Sequence, residues 1–112
     1  MRLAIPLEGD RLCAHFGHCT RFALLDVDAE GKRVVGVQMV TPPPHALGVL
    51  PEWLKQQGAD VVIAGGMGGR AQALFTAAGI EVVTGAPADT AENLAIAYVS
   101  NALVRGDNIC DH

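Results

Sequence analysis

The sequence predicts an α/β domain built on a five-stranded mixed sheet with three helices. Three observations predict it. The first half holds three short apolar runs separated by turn residues, which reads as a strand meander. The second half alternates strand-like runs with segments of helical periodicity, which reads as crossover units. Finally, half of the 112 residues are hydrophobic and 18% are charged, a composition that folds rather than stays disordered.

The elements follow in order. Arg2–Leu7 (RLAIPL) is a first strand, and residues 8–19 form a long polar loop rich in His, Cys and Gly. Arg21–Val27 (RFALLDV) is a second strand, turned by residues 28–33 (DAEGKR) into a third, Val34–Val40. Thr41-Pro42-Pro43-Pro44-His45 interrupts regular structure. Leu47, Leu50, Trp53, Leu54 and Gln57 recur at helical spacing, and Gly58 ends that helix. Asp60–Ala64 is a fourth strand, Gly65–Gly69 a loop, Arg70–Ala78 a second helix closed by Gly79, and Ile80–Thr84 a fifth strand. Asp89 or Thr90 caps a last helix, with Glu92 in its first turn, running to about Val104 and stopping at Gly106. The domain therefore spans residues 1–106, with 107–112 as a tail.

A meander places the third strand parallel to the first, and right-handed crossovers place the fourth and fifth parallel to it as well. The expected strand order is 3-2-1-4-5, with only strand two antiparallel to its neighbours. Four loops, 8–19, 41–47, 65–70 and 85–89, then leave the sheet at one edge, where open α/β sheets bind ligands. This order resembles the ribonuclease H topology. Nucleases of that fold hold metal through carboxylates on central strands, and Arg2–Leu7 carries none, so nuclease activity is excluded.

Composition narrows the function further. The net charge is −4 and no basic cluster occurs, which argues against nucleic acid. One Trp, one Tyr and three Phe leave little for base stacking. No run approaches the ~20 apolar residues of a membrane span. The N-terminal segment turns acidic too early for a signal peptide, and three cysteines suit reduced thiols, so the chain reads as cytoplasmic.

Two stretches carry the chemistry. Gly65-Gly66-Met67-Gly68-Gly69, followed by Arg70, joins a strand to a helix N-terminus and suits an anion. It lacks the Gly-Lys-Ser/Thr of a P-loop and the third glycine of a dinucleotide fingerprint. Cys13-Ala14-His15-Phe16-Gly17-His18-Cys19 concentrates soft ligands. Yet a tetrahedral zinc site draws paired ligands from two separated segments, and no CxxC pair exists. A thiol nucleophile lacks an acid in the loop after Asp10 to orient its histidine. The tail residues Cys110 and His112 do not complete a site, because a helix of roughly 16 residues carries them ~24 Å away.

His15-Phe16-Gly17 after the first strand, paired with Gly65-Gly66-Met67-Gly68 after the fourth, resembles the dinitrogenase iron-molybdenum cofactor biosynthesis family. That family includes the NifX and NafY carriers and the C-terminal domain of NifB. At this size the chain is most similar to its small orange proteins, which hold a molybdenum–copper sulfide cluster. The resemblance implies a non-enzymatic carrier of an anionic metal–sulfur cluster, either molybdenum–copper sulfide or another molybdenum or iron–sulfur cluster. It also implies cluster donor or acceptor proteins as partners. The family's cofactor-associated histidine corresponds to His15. Phe16, Gly17, the amides of Gly65, Gly66, Met67, Gly68 and Gly69, and Arg70 complete the expected site, with Phe16 and Met67 as apolar contacts. Cys13 and Cys19 are either additional soft ligands or bystanders. The alternative reading is a nucleotide- or phosphate-binding module, or a Cys/His enzyme, using the Gly65–Gly69 loop.

Overall fold

The computed structural model describes residues 1–14, 16, 19–28, 30–43 and 49–103. In chain order these form strands β1 (Arg2–Glu8), β2 (Arg11–Leu12), β3 (Arg21–Asp28) and β4 (Arg33–Val40), then helix α1 (Val49–Gln56) and strand β5 (Val61–Ile63). Helix α2 (Gly69–Ala77), strand β6 (Glu81–Val83) and helix α3 (Ala91–Val99) complete the fold. The sheet order is β4-β3-β1-β5-β6, with β2 pairing β1 off that path. β3 is antiparallel to β1 and β4, whereas β1, β5 and β6 run parallel. The five anticipated strands therefore lie in the expected order, and the sheet differs from expectation by the added β2.

Each face of the sheet is covered by helix. Leu3, Ile5 and Leu7 of β1 point to one side and pack with Ala23, Leu25 and Val27 of β3 under Leu94 and Ala95 of α3. Ala4, Phe22 and Leu24 point to the other side and pack with Leu50 and Leu54 of α1 and Phe75 of α2. This explains why RLAIPL reads as a continuous apolar run: a central strand covered on both faces has no polar side. Pro6 falls between two pairings on that side of β1, with β5 against Leu3 and Ala4 and β2 against Leu7 and Glu8, and its carbonyl still accepts from Cys13 N–H.

Helix ends match local chemistry. Gly58 and Gly79 terminate α1 and α2 with φ of +79° and +81°, left-handed values that glycine takes without strain. The expected end of the last helix is corrected. α3 stops at Val99, Ser100 is its C-cap, and Asn101 turns the chain with φ +56°. Asparagine is one of the few non-glycine residues that tolerates this turn. The helix start expected at Leu47, the Gly106 boundary and the tail with Cys110 and His112 lie outside the described residues.

Candidate functional site

The C-terminal ends of β1, β4, β5 and β6 share one edge of the sheet. Three of the segments leaving it are joined to one another by backbone hydrogen bonds. Phe16 N–H donates to the Gly66 carbonyl at 3.0 Å, and Gly66 N–H returns to the Ala14 carbonyl at 2.8 Å. Gly85 N–H donates to the Gly65 carbonyl at 2.7 Å, and Leu12 N–H donates to the Asp89 carbonyl at 2.9 Å. The Arg11 guanidinium adds a bond to the Ala88 carbonyl at 3.1 Å. Base contacts come from Cys13 N–H to the Pro6 carbonyl and Thr20 N–H to the Leu7 carbonyl, both 3.0 Å. Of the fourth segment, Pro43 lines a separate groove with Val49, Glu52 and Trp53, and His45 lies outside the described residues.

Gly65 explains how the first and third segments approach so closely. A Cβ on it would stand 3.0 Å from the Ala14 carbonyl oxygen and 3.3 Å from that of Cys13. Both are backbone atoms with little room to yield.

Beside this clasp, α2 begins. Gly68 is its N-cap in extended backbone, no side chain among the described residues caps it, and its first turn contains no acid. The first intrahelical donor is Gln72 N–H, to the Gly68 carbonyl at 3.1 Å. The amides of Gly69, Arg70 and Ala71 precede it and have no helical acceptor. Gly69 and Arg70 are exposed. A helix start of this kind carries partial positive charge, and the Arg70 guanidinium adds a full one. Gln72, within the expected second helix, donates its Nε2 to the Met67 carbonyl at 2.8 Å and fixes the turn.

Other anticipated residues take different roles. Phe16 and Met67 are 8% and 1% exposed. Phe16 packs edge-on against Phe22 and Phe75, with ring centroids 5.9 and 5.4 Å away. Both side chains belong to the buried cluster beneath the loops and anchor them to the core. Gly66 spends both its N–H and its carbonyl on the clasp. His15, Gly17 and His18 lie outside the described residues.

Cys13 and Cys19 are buried thiols, not half-cystines. The Cys13 thiol donates toward the Glu8 carboxylate across 4.0 Å. Burial pushes the Cys19 thiol up to about 11, with nearby Cys13 adding to the shift and a backbone hydrogen bond opposing it. In the metal-free chain the Cys19 side chain is therefore a thiol at neutral pH. Among the described residues, no three His, Cys, Asp or Glu side chains are placed to hold a metal ion. Also among the described residues, no helix is long and apolar enough to cross a membrane.

Known proteins resemble this chain along most of its length. The family model described as dinitrogenase iron-molybdenum cofactor matches residues 1–101. An uncharacterized protein of Methanocaldococcus jannaschii is 26% identical over 86 residues, covering 73% of this chain and 72% of that one. The crystal structure of PH0822 superposes with a TM-score of 0.84 at 34% identity over 94% of each chain. The apo form of the orange protein from Desulfovibrio gigas shares the fold, with a TM-score of 0.75 at 22% identity, covering 96% of this chain and 93% of that one.

Proposed function

The chain belongs to the dinitrogenase iron-molybdenum cofactor family, and on that premise we propose that it carries an anionic molybdenum-containing metal–sulfur cluster as cargo, without turnover. The observation that carries this reading is the open start of α2. Its amides and Arg70 stand uncapped where three loops meet, with no acid in the turn to occupy them. A sulfide-rich cluster is a large, soft anion, and N–H donors, a helix N-terminus and a cation are what it needs. His15 sits in the sequence between Ala14 and Phe16, both tied to Gly66, and its imidazole supplies a donor or a metal ligand. We favour a cargo held by non-covalent contacts and His15 over one held by the two thiolates, since no three metal-ligating side chains converge among the described residues. The cluster we favour is a molybdenum–copper sulfide, in keeping with the fold shared with the orange protein, and separate donor and acceptor proteins load and unload it.

The test is anoxic reconstitution of apo protein with tetrathiomolybdate and Cu(I), followed by desalting, visible absorption and metal analysis. Charge-transfer colour with bound molybdenum is expected, weakened by salt and by His15→Ala at unchanged thermal stability. A colourless, molybdenum-free product overturns the carrier reading. A thermal shift with ATP or phosphate in that case would move the assignment to a nucleotide- or phosphate-binding module.

A further inference from the structure

Among the described residues, the large exposed apolar side chains are Met1, Val35, Val37, Met39 and Ile96, and three of them lie on β4. β4 is an outer strand that pairs with β3 alone among the described residues. Among the described residues nothing pairs with its outer backbone edge, and proteins normally protect such edges. The opposite edge strand, β6, is protected: it has three residues and opens on exposed, charged Glu81. β4 has eight residues, and Val34–Val40 contains neither a charge nor a proline.

The register defines what the strand offers. Val37 lies opposite Leu25 and Met39 opposite Ala23, so both share the face covered by α3. They extend past that cover and remain 45% and 49% exposed. An irregularity at Asp26/Val27 limits the regular part of β4 to Gly36–Val40.

We propose that β4 pairs antiparallel with β4 of a second copy of this chain, about a two-fold axis at Gln38. In this register the strand is complementary to itself. Val37 faces Met39 of the second copy and Met39 faces its Val37, on the same side of the joined sheet. Gln38 faces Gln38, and Gly36 faces Val40. No charge meets a like charge, which matters for a chain of net charge −4. Moving the axis to Val37 brings irregular Val35 into the ladder, and moving it to Met39 brings in Pro42, which has no N–H to donate. A five-residue strand pair with four apolar side chains falls at or below the roughly 1,200 Å² low end of specific interfaces. The dimer is accordingly weak, with Kd on the order of 100 μM. Because β4 runs toward the loop edge, antiparallel pairing turns the two loop edges in opposite directions and leaves both accessible. The proposal stands independently of what the loops bind.

Sedimentation equilibrium from about 5 μM to about 1 mM tests it. Wild type should pass from monomer to dimer across this range. Val37→Lys and Met39→Lys should raise Kd at least tenfold with unchanged circular dichroism and Tm, since both positions are half-exposed. Thr76→Lys, an exposed change on α2, should dimerise like wild type. Should one lysine variant misfold, the other decides. A wild type that stays monomeric at the highest concentration, leaving the strand to a different protein or to none, overturns the proposal. So does a dimer that persists in both lysine variants.

Discussion

α2 and α3 start at the same edge of the same sheet and enter their first turns with nearly the same backbone. Gly68 has φ −64° and ψ 153°, and Thr90 has φ −69° and ψ 154°. Their chemistry is opposite. Thr90 Oγ1 accepts from Asn93 N–H at 3.3 Å. Asp89 Oδ1 accepts from Thr90 N–H at 2.7 Å and from Asn93 Nδ2 at 3.0 Å, and Glu92 adds charge to the first turn. α3 thus satisfies its positive end from its own sequence. α2 has Met67, Gly68 and Arg70 where α3 has Asp89, Thr90 and Glu92, so its first amides meet neither an acid nor a hydroxyl of its own turn. The same dipole is neutralised by its own turn in one helix and not in the other.

The contrast can be broken or sharpened by substitution. The largest effect is expected from Gly65→Val, which forces a branched side chain against the Ala14 and Cys13 carbonyls. It should cost about 1–3 kcal/mol in denaturant unfolding and disturb the loop edge beside α2, leaving the α3 cap untouched. Gly68→Asp makes α2 resemble α3. We expect cluster uptake to fall at least tenfold, about 1.4 kcal/mol, while stability rises by a few tenths of a kcal/mol. If uptake and stability fall together, the α2 start is not the anion cradle. Thr90→Ala opens α3 instead. It should lower stability by about 1 kcal/mol with uptake unchanged, because the amide it exposes lies beside Asp89 and Glu92.

The smallest effect is expected from pH. The Asn93 amide, then the Thr90 N–H, hold the Asp89 carboxyl below its usual range. A carboxylate with a lowered folded pKa contributes stability that is fully present above its unfolded value. That contribution is lost as pH falls through the folded value. Acid titration of wild type against Asp89→Asn should therefore show the two stabilities converging below about pH 4. A difference that stays constant through that window would show that Asp89 acts by shape rather than charge.

The sheet was legible because each strand is a distinct apolar run and each turn has its own residues: Asp28 to Arg33 for the hairpin, Gly58 and Gly79 for the helix ends. Arg11–Leu12 was not legible. A two-residue strand has no periodicity, and its partner, Leu7–Glu8, is set by the fold. The end of α3 was misread because Ala102 and Leu103 continue the apolar pattern past the turn at Asn101. The site was legible as a location, since topology alone brings the loops to one edge. It was not legible as a set of side chains. Phe16 and Met67 carry the same apolar signal whether they line a crevice or anchor its walls, and only the ring contacts of Phe16 with Phe22 and Phe75 and the burial of Met67 distinguish the two. Gln72 gave no signal because its role depends on reaching back to a carbonyl.

The bonds at Leu12, Cys13, Phe16 and Thr20 have a consequence for conformational entropy. A loop of this length, tied only at its ends, would have to be ordered when a ligand arrived, at roughly 1–2 kcal/mol for each residue fixed. Here those four positions are ordered by folding itself, through carbonyls on β1 and on the two neighbouring loops. Their share of the ordering cost falls on the folding equilibrium and is absent from the binding one. A ligand that meets this edge through weak amide contacts would therefore not have to order those positions as it binds.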